Sequence, residues 1–461
     1  MLRLTNTLTG RKEPFAPQGD EVKYYVCGMT PKFHPHVGHA RLFVAADVLR
    51  RYLEYRGYRV RHVQNFTDID DKIIERARLE GRSPEEVARA YTESYFAAMD
   101  QLNVQRAHVY PTVTGSMPAI IAFVQGLIER GYAYVSDGDV WFSVARFPGY
   151  GQLSHRAEAL EEGLVGARKE LEPGKRDPRD FALWKRAKPG EPAWESPWGL
   201  GRPGWHIECS TMVRETLGDT IDLHGGGWDL VFPHHENERA QSEALLGQPF
   251  VRYWVHVGLV LTDGEKMAHS LGNFRTVREV LARHDPMALR LYFLQTHYRV
   301  PLTFNEEALA GAGRGLRRLR QALAPLPDEP APPAEPPAFV REARQRFEEA
   351  MDDDLNTAGA LAVLFELAGA VNARRATAPA EAAAGQAELR ALAGIVGLDL
   401  ARGEPERDAH AAEPFIELLL AVRQELRAAK QWALADRIRE GLRERGVIVE
   451  DTPQGPTYRF E

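Results

Sequence analysis

The stretch that decides the fold runs from Tyr24 to His39 and reads YYVCGMTPKFHPHVGH. It opens with a short apolar and aromatic run that ends at Cys27, as a β-strand does. After a proline-broken turn, His36 and His39 flank a glycine, and apolar residues from Leu42 to Leu53 recur at helical spacing. Strand, loop and helix N-terminus in this order predict a ligand site at the carboxyl edge of an α/β sheet. The positive end of the helix would face a phosphate there.

The segments that follow repeat the strand and helix pattern. Val60 to Phe66 reads as a second strand, and the acidic residues from Asp68 to Asp71 suit the first turn of a helix. A capping box at Ser83 opens the next helix, and Thr220 to His224 reads as a later strand. Strands and helices that alternate at this spacing predict a parallel sheet. The predicted fold class is therefore α/β, with a Rossmann-like catalytic domain, an inserted connective subdomain and an all-helical C-terminal region.

Two regions of the chain depart from this alternation of strands and helices. Residues 133–144 form a hairpin signature with Asp137-Gly138 as its turn, and residues 150–204 are irregular and rich in Pro, Gly and Trp. Long helical patterns cover 339–374 and 414–445, before a short extended tail. The predicted domains are 1–120 (first half of the catalytic domain), 121–200 (connective insertion), 201–260 (second half of the catalytic domain), 261–310 (loop and stem-contact region), 311–395 (helical bundle) and 396–461 (C-terminal domain).

Composition limits the possible partners and compartments. A net charge of −7 over 461 residues gives no general attraction to nucleic acid or to an anionic membrane, so any RNA contact must come from local basic faces. The N-terminus has no apolar signal core, and no apolar run reaches membrane-spanning length. We expect a cytoplasmic protein without a membrane segment.

The two cysteines suggest a metal site. Cys27 and Cys209 each follow a strand-like run, which would place both at strand ends on the same sheet edge. His234 and Glu238 are four residues apart, so they would share one helix face if Pro233 opens a helix. Two thiolates, an imidazole and a carboxylate make a tetrahedral zinc site. The alternative is a pair of buried structural cysteines beside a His–Glu pair, and spacing alone leaves both open because no CxxC motif is present.

Candidate phosphate ligands lie near the helix start. His36 and His39 could donate hydrogen bonds to phosphate oxygens above the helix N-terminus, and the loop holding Lys266 could supply a cation from the other side. Each residue alone also suits a cap or an exposed loop. Gly225 to Gly227 permits positive φ angles and close backbone approach, which a binding loop at a strand end needs.

Together these residues resemble a known family. Cys27-Gly28 with His36 to His39 looks like the first signature of the class I aminoacyl-tRNA synthetases in its cysteine-specific form. Further segments that match the cysteinyl-tRNA synthetases in order and spacing are Asn65 to Lys72, Trp205 to Cys209, His224 to Gly227, Phe232 to Glu238, Lys266 to Ser270 (the second signature loop), Met351 to Thr357, Ala435 to Arg439 and Glu450 to Pro453. The resemblance spans essentially the whole chain.

The resemblance implies how the amino acid is selected. One Zn²⁺ per chain would be bound by the residues at the zinc-ligand positions of the family, which are Cys27, Cys209, His234 and Glu238. A zinc ion binds the soft thiolate of free cysteine, and serine and alanine offer no comparable ligand. This would explain the lack of a segment long enough to be an editing domain. The residues implied to line the amino-acid pocket are Cys27, Gly28, Thr67, Trp205 and Asp229, with Asp229 pairing the substrate ammonium.

The resemblance also implies the reaction. His36, His39 and Lys266 would be catalytic, and ATP with Mg²⁺ would contact Gly38, His39, Lys266 and His269. The implied partners are L-cysteine, ATP and tRNA(Cys), the last charged through the 2′-hydroxyl of its terminal adenosine by a monomeric enzyme. The residues implied to read the anticodon are Trp432, Asp436 and Asp451.

Two departures from the family pattern keep other functions open. His269 and Ala268 stand where the signature loop usually has lysine and serine, and Lys32 replaces a tyrosine. A histidine is mostly neutral at pH 7, so one cation is missing unless Lys32 or an arginine replaces it. The alternatives are a ligase that joins cysteine to an amino-sugar, as in the mycothiol pathway, and a non-catalytic zinc-binding regulator derived from a synthetase.

Overall fold

The computed structural model describes residues 1–156, 173–262, 265–266, 274–326, 330–401, 409–452 and 455–460. The chain divides into two compact units, Met1–Ala401 and Arg402–Glu461. In the part of the chain that the structure describes, no helix is long and apolar enough to cross a membrane.

The strands are, in chain order, β1 (Arg3–Asn6), β2 (Arg11–Pro14), β3 (Glu21–Met29), β4 (Arg59–Phe66), β5 (Ala133–Ser136), β6 (Asp139–Phe142), β7 (Phe181–Arg186), β8 (Gly201–Pro203), β9 (Ile221–Gly227), β10 (Val251–Val257), β11 (Val260–Thr262), β12 (Glu265–Lys266), β13 (Leu302–Thr303), β14 (Val447–Thr452) and β15 (Gly455–Phe460). The helices are α1 (Val37–Tyr55), α2 (Asp71–Glu80), α3 (Pro84–Gln101), α4 (Met117–Glu129), α5 (Trp205–Leu217), α6 (Glu236–Leu246), α7 (Val277–Leu281), α8 (Pro286–Leu294), α9 (Glu306–Ala322), α10 (Ala338–Asp352), α11 (Thr357–Arg374), α12 (Pro379–Ile395), α13 (Ala409–Ala428) and α14 (Trp432–Arg443).

The central sheet of the larger unit has the strand order β10-β9-β3-β4, and all neighbouring pairs are parallel. The chain leaves β3 to form β4 on one side and later adds β9 on the other side. The carboxyl ends of β3 and β9 therefore adjoin where the strand order reverses, which is where ligands bind in open α/β sheets. This confirms the predicted α/β class with a parallel sheet.

A bulge interrupts β3 at Cys27 and Gly28, where the pairing with β4 shifts register between Val26 and Met29. Gly28 N donates to Asn65 Oδ1 at 2.8 Å, and a Cβ at Gly28 would lie 1.7 Å from the Asn65 carbonyl oxygen. Only glycine fits there. The bulge bends the strand immediately after Cys27, at the switch point of the sheet.

Strands β5 to β7 of an antiparallel sheet of order β5-β6-β7-β8 lie within the predicted connective insertion, residues 121–200, and β8 lies just beyond it. The hairpin predicted around Asp137-Gly138 is present, and both turn residues have positive φ angles of 51° and 85°. A small sheet of order β12-β11-β13 follows the central sheet and carries the backbone of Lys266. His269 lies outside the described residues.

The prediction that Cys209 follows a strand is wrong, because Cys209 lies in helix α5. The alternating run from Trp205 to Cys209 is too short to separate a strand from a helix. The buried residues that continue it, Met212, Val213 and Leu217, keep helical spacing.

The predicted helix over 339–374 is two helices, α10 and α11, separated by a turn. Asp354 and Leu355 have left-handed φ angles of 59° and 54° in that turn. The buried Asp354 carboxylate accepts hydrogen bonds from Thr5 N and from Tyr298 Oη, each at 2.8 Å. These contacts compensate the backbone strain and end the first helix.

The smaller unit packs α13, α14 and the β14–β15 hairpin around Ile416, Leu420, Leu442 and Val447. The single helix predicted over 414–445 is wrong, since Lys430, with a φ of 59°, separates α13 from α14. The predicted extended tail forms the hairpin.

Candidate active site

Four side chains from different elements meet beside the end of β3. Cys27 Sγ lies 3.7 Å from Cys209 Sγ and 3.4 Å from Glu238 Oε1. His234 Nε2 lies 3.1 Å from the same Glu238 oxygen. All four residues are at most 3% exposed, and their potential ligand atoms lie within 4.8 Å of one another. The structure therefore brings together the four residues predicted to bind zinc.

The spacing of these atoms suits a tetrahedral metal ion. Two thiolates bound at ~2.3 Å with a tetrahedral angle between them stand about 3.8 Å apart, close to the distance between Cys27 and Cys209. Burial raises the pKa of the Cys27 thiol well above its usual value. Two thiolates and a carboxylate in a buried cluster would be strongly destabilising without a cation, so this donor set fits a bound divalent ion.

A second layer of histidines orients the cluster. His206 Nδ1 lies 2.9 Å from His234 Nδ1, and His224 Nε2 lies 2.9 Å from Glu238 Oε2. When His234 binds a metal through Nε2, its Nδ1 carries the proton and donates to His206. Burial lowers the pKa of His234 well below its usual value, so its imidazole is neutral and able to act as a ligand.

The same layer continues behind Cys27. His235 Nε2 lies 3.3 Å from Cys27 Sγ, and His235 Nδ1 lies 2.7 Å from His256 Nε2. His256 Nδ1 lies 2.7 Å from the hydroxyl of Thr7. Cys27, His224, His235 and Glu238 form an overlapping set of potential metal ligands. Sequence reasoning did not single out the histidines of this layer.

The glycines at the end of β9 allow close packing. Gly225, Gly226 and Gly227 are not among the residues with positive φ. A Cβ at Gly226 would lie 2.4 Å from Cε1 of His235, and one at Gly227 would lie 2.7 Å from Asp229 Oδ1. Glycine is therefore needed here because neighbouring side chains lie too close for a Cβ. Positive φ angles, which glycine would also allow, do not occur at these positions.

Of the residues predicted to line the amino-acid pocket, Trp205 contacts the cluster directly. Trp205, 37% exposed, stacks on His234 with ring centroids 4.3 Å apart. The buried Thr67 donates its hydroxyl to Glu208 Oε2 at 3.0 Å. Asp229 lies on an exposed helical turn, Trp228–Leu230, just beyond β9. Glu208 is a further buried polar residue of this region that the sequence did not reveal.

The first signature forms the start of α1 as predicted, but with the helix amides already occupied. His36 is the N-cap residue, and its Nδ1 accepts from Gly38 N at 3.0 Å and His39 N at 3.2 Å. Val37 N donates to the Arg275 carbonyl. The first amides of α1 therefore bind acceptors within the protein.

The cap instead fixes the proton positions of the two histidines. His36 N donates to His39 Nδ1 at 3.3 Å, and the two rings stack 3.7 Å apart. Because both Nδ1 atoms accept hydrogen bonds, each neutral ring carries its proton on Nε2. Burial and the nearby charge of Lys32 lower the pKa of His39 to about 4. His39 is therefore a neutral Nε2–H donor at pH 7.

Lys32 is close enough to act on His39 electrostatically. Burial and the charge of Lys72 lower its own pKa. Its neighbours Phe33 and His34 are anchored in the protein, by a ring contact with Tyr91 and a 2.7 Å contact with Ser94 Oγ. Lys32 thus adds a cation near the first signature at a position where the family pattern has a tyrosine.

The anticodon candidates lie in the smaller unit. Trp432, 56% exposed, begins α14, and the exposed Asp436 lies one turn further along. Asp451 accepts hydrogen bonds from Arg423 at 2.7 and 2.9 Å and from Arg427 at 2.6 Å. These arginines hold the pKa of Asp451 well below its usual range.

Comparison with known proteins places the chain in a family. The model described as tRNA synthetases class I (C) catalytic domain matches residues 15–314, a DALR domain matches 346–401, and a cysteinyl-tRNA ligase anticodon binding domain matches 412–459. A protein named cysteine–tRNA ligase from Dehalococcoides mccartyi is 50% identical over 100% of both chains. The chain belongs to the cysteine–tRNA ligase family. Other members, from Alkalilimnicola ehrlichii and Thermococcus gammatolerans, are 52% and 48% identical over at least 99% of each chain.

Solved structures support the class I fold of this family member. A methionyl-tRNA synthetase of Mycobacterium tuberculosis, in complex with methionyl-adenylate, aligns with a TM-score of 0.60 and 17% identity over 87% of this chain and 94% of that chain. A leucyl-tRNA synthetase complex from Agrobacterium radiobacter aligns with a TM-score of 0.58 and 14% identity over 84% and 85%. At these identities the likeness concerns the fold alone.

Proposed function

We propose that this chain activates L-cysteine with ATP to cysteinyl-adenylate and transfers the cysteinyl group to the 3′ end of tRNA(Cys). The observation that carries the proposal is the buried cluster of Cys27, Cys209, His234 and Glu238 beside the first signature. Membership of the cysteine–tRNA ligase family supports it over the full length of the chain.

The metal is proposed to be one Zn²⁺ per chain, because two thiolates, an imidazole and a carboxylate suit this ion. When bound, zinc supplies a soft Lewis acid for the thiolate of the substrate. The surrounding protein keeps the site dry, and His206 and His224 orient two of the ligands. Selection then depends on sulfur, so serine is rejected without an editing site.

The chain orients the rest of the amino acid. The carboxylate of Asp229 pairs with the substrate ammonium, while Thr67 and Trp205 line the pocket. Gly28, packed against Asn65, contributes backbone to the pocket next to Cys27. This placement directs the substrate carboxylate toward the first signature, at the neighbouring strand end.

Activation is proposed to proceed by attack of the substrate carboxylate on the α-phosphate of ATP, bound with Mg²⁺, which releases pyrophosphate. His36 and His39 donate from Nε2 to phosphate oxygens, and Gly38 keeps the helix start compact enough for ATP to approach. Lys266 supplies charge from the second signature loop, with His269 as a further ATP contact. Positioning and charge stabilisation account for most of the catalysis.

Transfer is proposed to follow by attack of the 2′-hydroxyl of the terminal adenosine of tRNA on the carbonyl carbon of the adenylate, which breaks its bond to phosphate and releases AMP. Trp432 would stack on an unpaired anticodon base, and Asp436 and Asp451 are the accompanying polar candidates. Asp451, held by two arginines, would act with them as one group. The working unit is proposed to be a monomer.

Two assays test the proposal. The purified chain should exchange pyrophosphate into ATP only when cysteine is present, and it should form cysteinyl-tRNA with tRNA(Cys). A cysteine adduct of an amino-sugar in place of charged tRNA would support the amino-sugar ligase instead. Absence of exchange with metal still bound would support the non-catalytic regulator.

A further inference from the structure

Arg41 is a buried cation with an unusual set of partners. It lies on α1 two residues beyond His39 and is 2% exposed. Its Nη1 donates to the carbonyls of Gly258 at 2.9 Å and Leu259 at 3.1 Å. Its Nη2 donates to the carbonyls of His297 at 3.1 Å and Val300 at 2.6 Å. One guanidinium therefore binds two separate chain segments at once.

Both segments lead into the small sheet that carries Lys266. Gly258 and Leu259 connect β10 with β11, and residues 297–300 precede β13. Strand β11 pairs in parallel with β13 and antiparallel with β12, where Leu261 is opposite Lys266. A Cβ at Gly258 would lie 2.6 Å from the carbonyl carbon of Val300, so the two segments are in close contact where Arg41 binds them.

The charge of Arg41 is compensated by carbonyl dipoles. Within the described residues, no carboxylate forms an ion pair with it, and burial lowers its pKa to about 10. It therefore remains protonated at neutral pH. The fully buried Arg290 also donates to three carbonyls, of Val396, Leu102 and Asn103, but in addition pairs with Asp47. A planar fork of donors holds several carbonyls in fixed positions, which a lysine ammonium does not do.

We propose that Arg41 is a positioning residue for adenylate formation, which rests on the function proposed above. It fixes the sheet that carries Lys266 relative to the helix start that carries His36 and His39. In the proposed function these groups act on the same phosphates. A displacement of ~1 Å between them would lower the rate by about 10²-fold, even with every catalytic group present.

The test compares Arg41→Lys with Arg290→Lys in the full-length chain, each alone and in a Lys266→Ala background. Cysteine-dependent pyrophosphate exchange, metal content and the thermal unfolding midpoint are measured for every variant. Gly258→Ala is a second way to displace the same two segments. Its added methyl group pushes residues 258–259 away from residues 297–300 while Arg41 is retained.

Arg41→Lys and Gly258→Ala should each lower kcat by about 10²-fold, with metal content and the KM for cysteine within about twofold. In the Lys266→Ala background the same changes should cost less than about threefold, because the group being positioned is absent. Arg290→Lys should lower the unfolding midpoint and leave kcat within about twofold. If the wild type is active, the inference is overturned by either of two results. One is an equal loss of kcat with and without Lys266→Ala, and the other is an unchanged kcat in Arg41→Lys and Gly258→Ala. A wild type without cysteine-dependent exchange would overturn the proposed function itself.

Discussion

The metal cluster and the first signature are adjacent but built in opposite ways. The cluster draws Cys27 from a strand and its other ligands from distant segments, and all four of its residues are buried. The signature is formed by His36 and His39, three residues apart, and both remain partly exposed. Selection by sulfur needs a dry, rigid site, whereas a phosphate needs access. In the proposed function, one half-site therefore recognises the substrate and the other activates it.

The largest effect is expected from a substitution in the buried cluster. Cys209→Ser should lower metal content at least ~10-fold and reduce cysteine-dependent exchange below detection, because a hydroxyl is a poor zinc ligand. Metal analysis and exchange rates measure this. Thr211→Val is the control, since within the described part of the chain the Thr211 hydroxyl bonds only to the helix carbonyl of Ile207. Exchange by Cys209→Ser at the wild-type rate would show that the cluster does not select the substrate.

A substitution in the partly exposed histidine pair of the first signature should lower the exchange rate and leave the metal bound. His39→Ala should lower kcat for exchange at saturating cysteine by about 10²- to 10³-fold, as loss of one transition-state donor does elsewhere. Metal content should remain unchanged. His34→Gln, which changes a histidine of the same loop bonded to Ser94, is the control. If His39→Ala also loses the metal, the separation into two half-sites is wrong.

The histidine layer around the cluster should have a smaller effect. His206→Phe removes the hydrogen bond to His234 Nδ1 and keeps an aromatic ring beside Phe181. Metal affinity should fall about 10- to 100-fold, while kcat at saturating metal stays close to wild type. Competition with a chelator measures the affinity. An unchanged affinity would mean that His234 is held by packing alone.

The smallest effect concerns the charge near the signature. Lys32→Met removes a charge that lowers the pKa of His39, so this pKa should rise from about 4. Below its pKa, His39 is protonated and can no longer accept the hydrogen bond from His36 N. The fall of kcat at acid pH should therefore occur at a higher pH in this variant, by less than ~1 unit. Lys72→Met should leave the pH of this fall unchanged. A shift of the fall to lower pH in Lys32→Met would contradict the account.

What could be predicted from sequence depended on how local the feature is. The strand that ends near Cys27, the helix start after His36 and the Asp137-Gly138 hairpin each depend on a few consecutive residues, and all three are present. The helical breaks at Asp354 and Lys430 carry no glycine or proline signal, because a non-glycine residue occupies the left-handed conformation in each.

The site divides in the same way. The proposed ligands were found through motif resemblance, whereas the strand assignment of Cys209 failed because five residues do not define a period. The layer of His206, His224, His235 and His256 depends on contacts between α5, β9, β10 and the helical turn just before α6. A single sequence does not reveal which of its histidines such packing brings together.

The central claim is that the buried cluster selects the amino acid by its sulfur. The most direct measurement is kcat/KM for pyrophosphate exchange with cysteine and with serine, on the metal-loaded wild-type chain. If the sulfur of the substrate is what the cluster selects, cysteine should be preferred by at least ~10⁴-fold. This is beyond what a pocket that senses size alone achieves. A preference of ~10²-fold or less, with the metal bound, would contradict the claim.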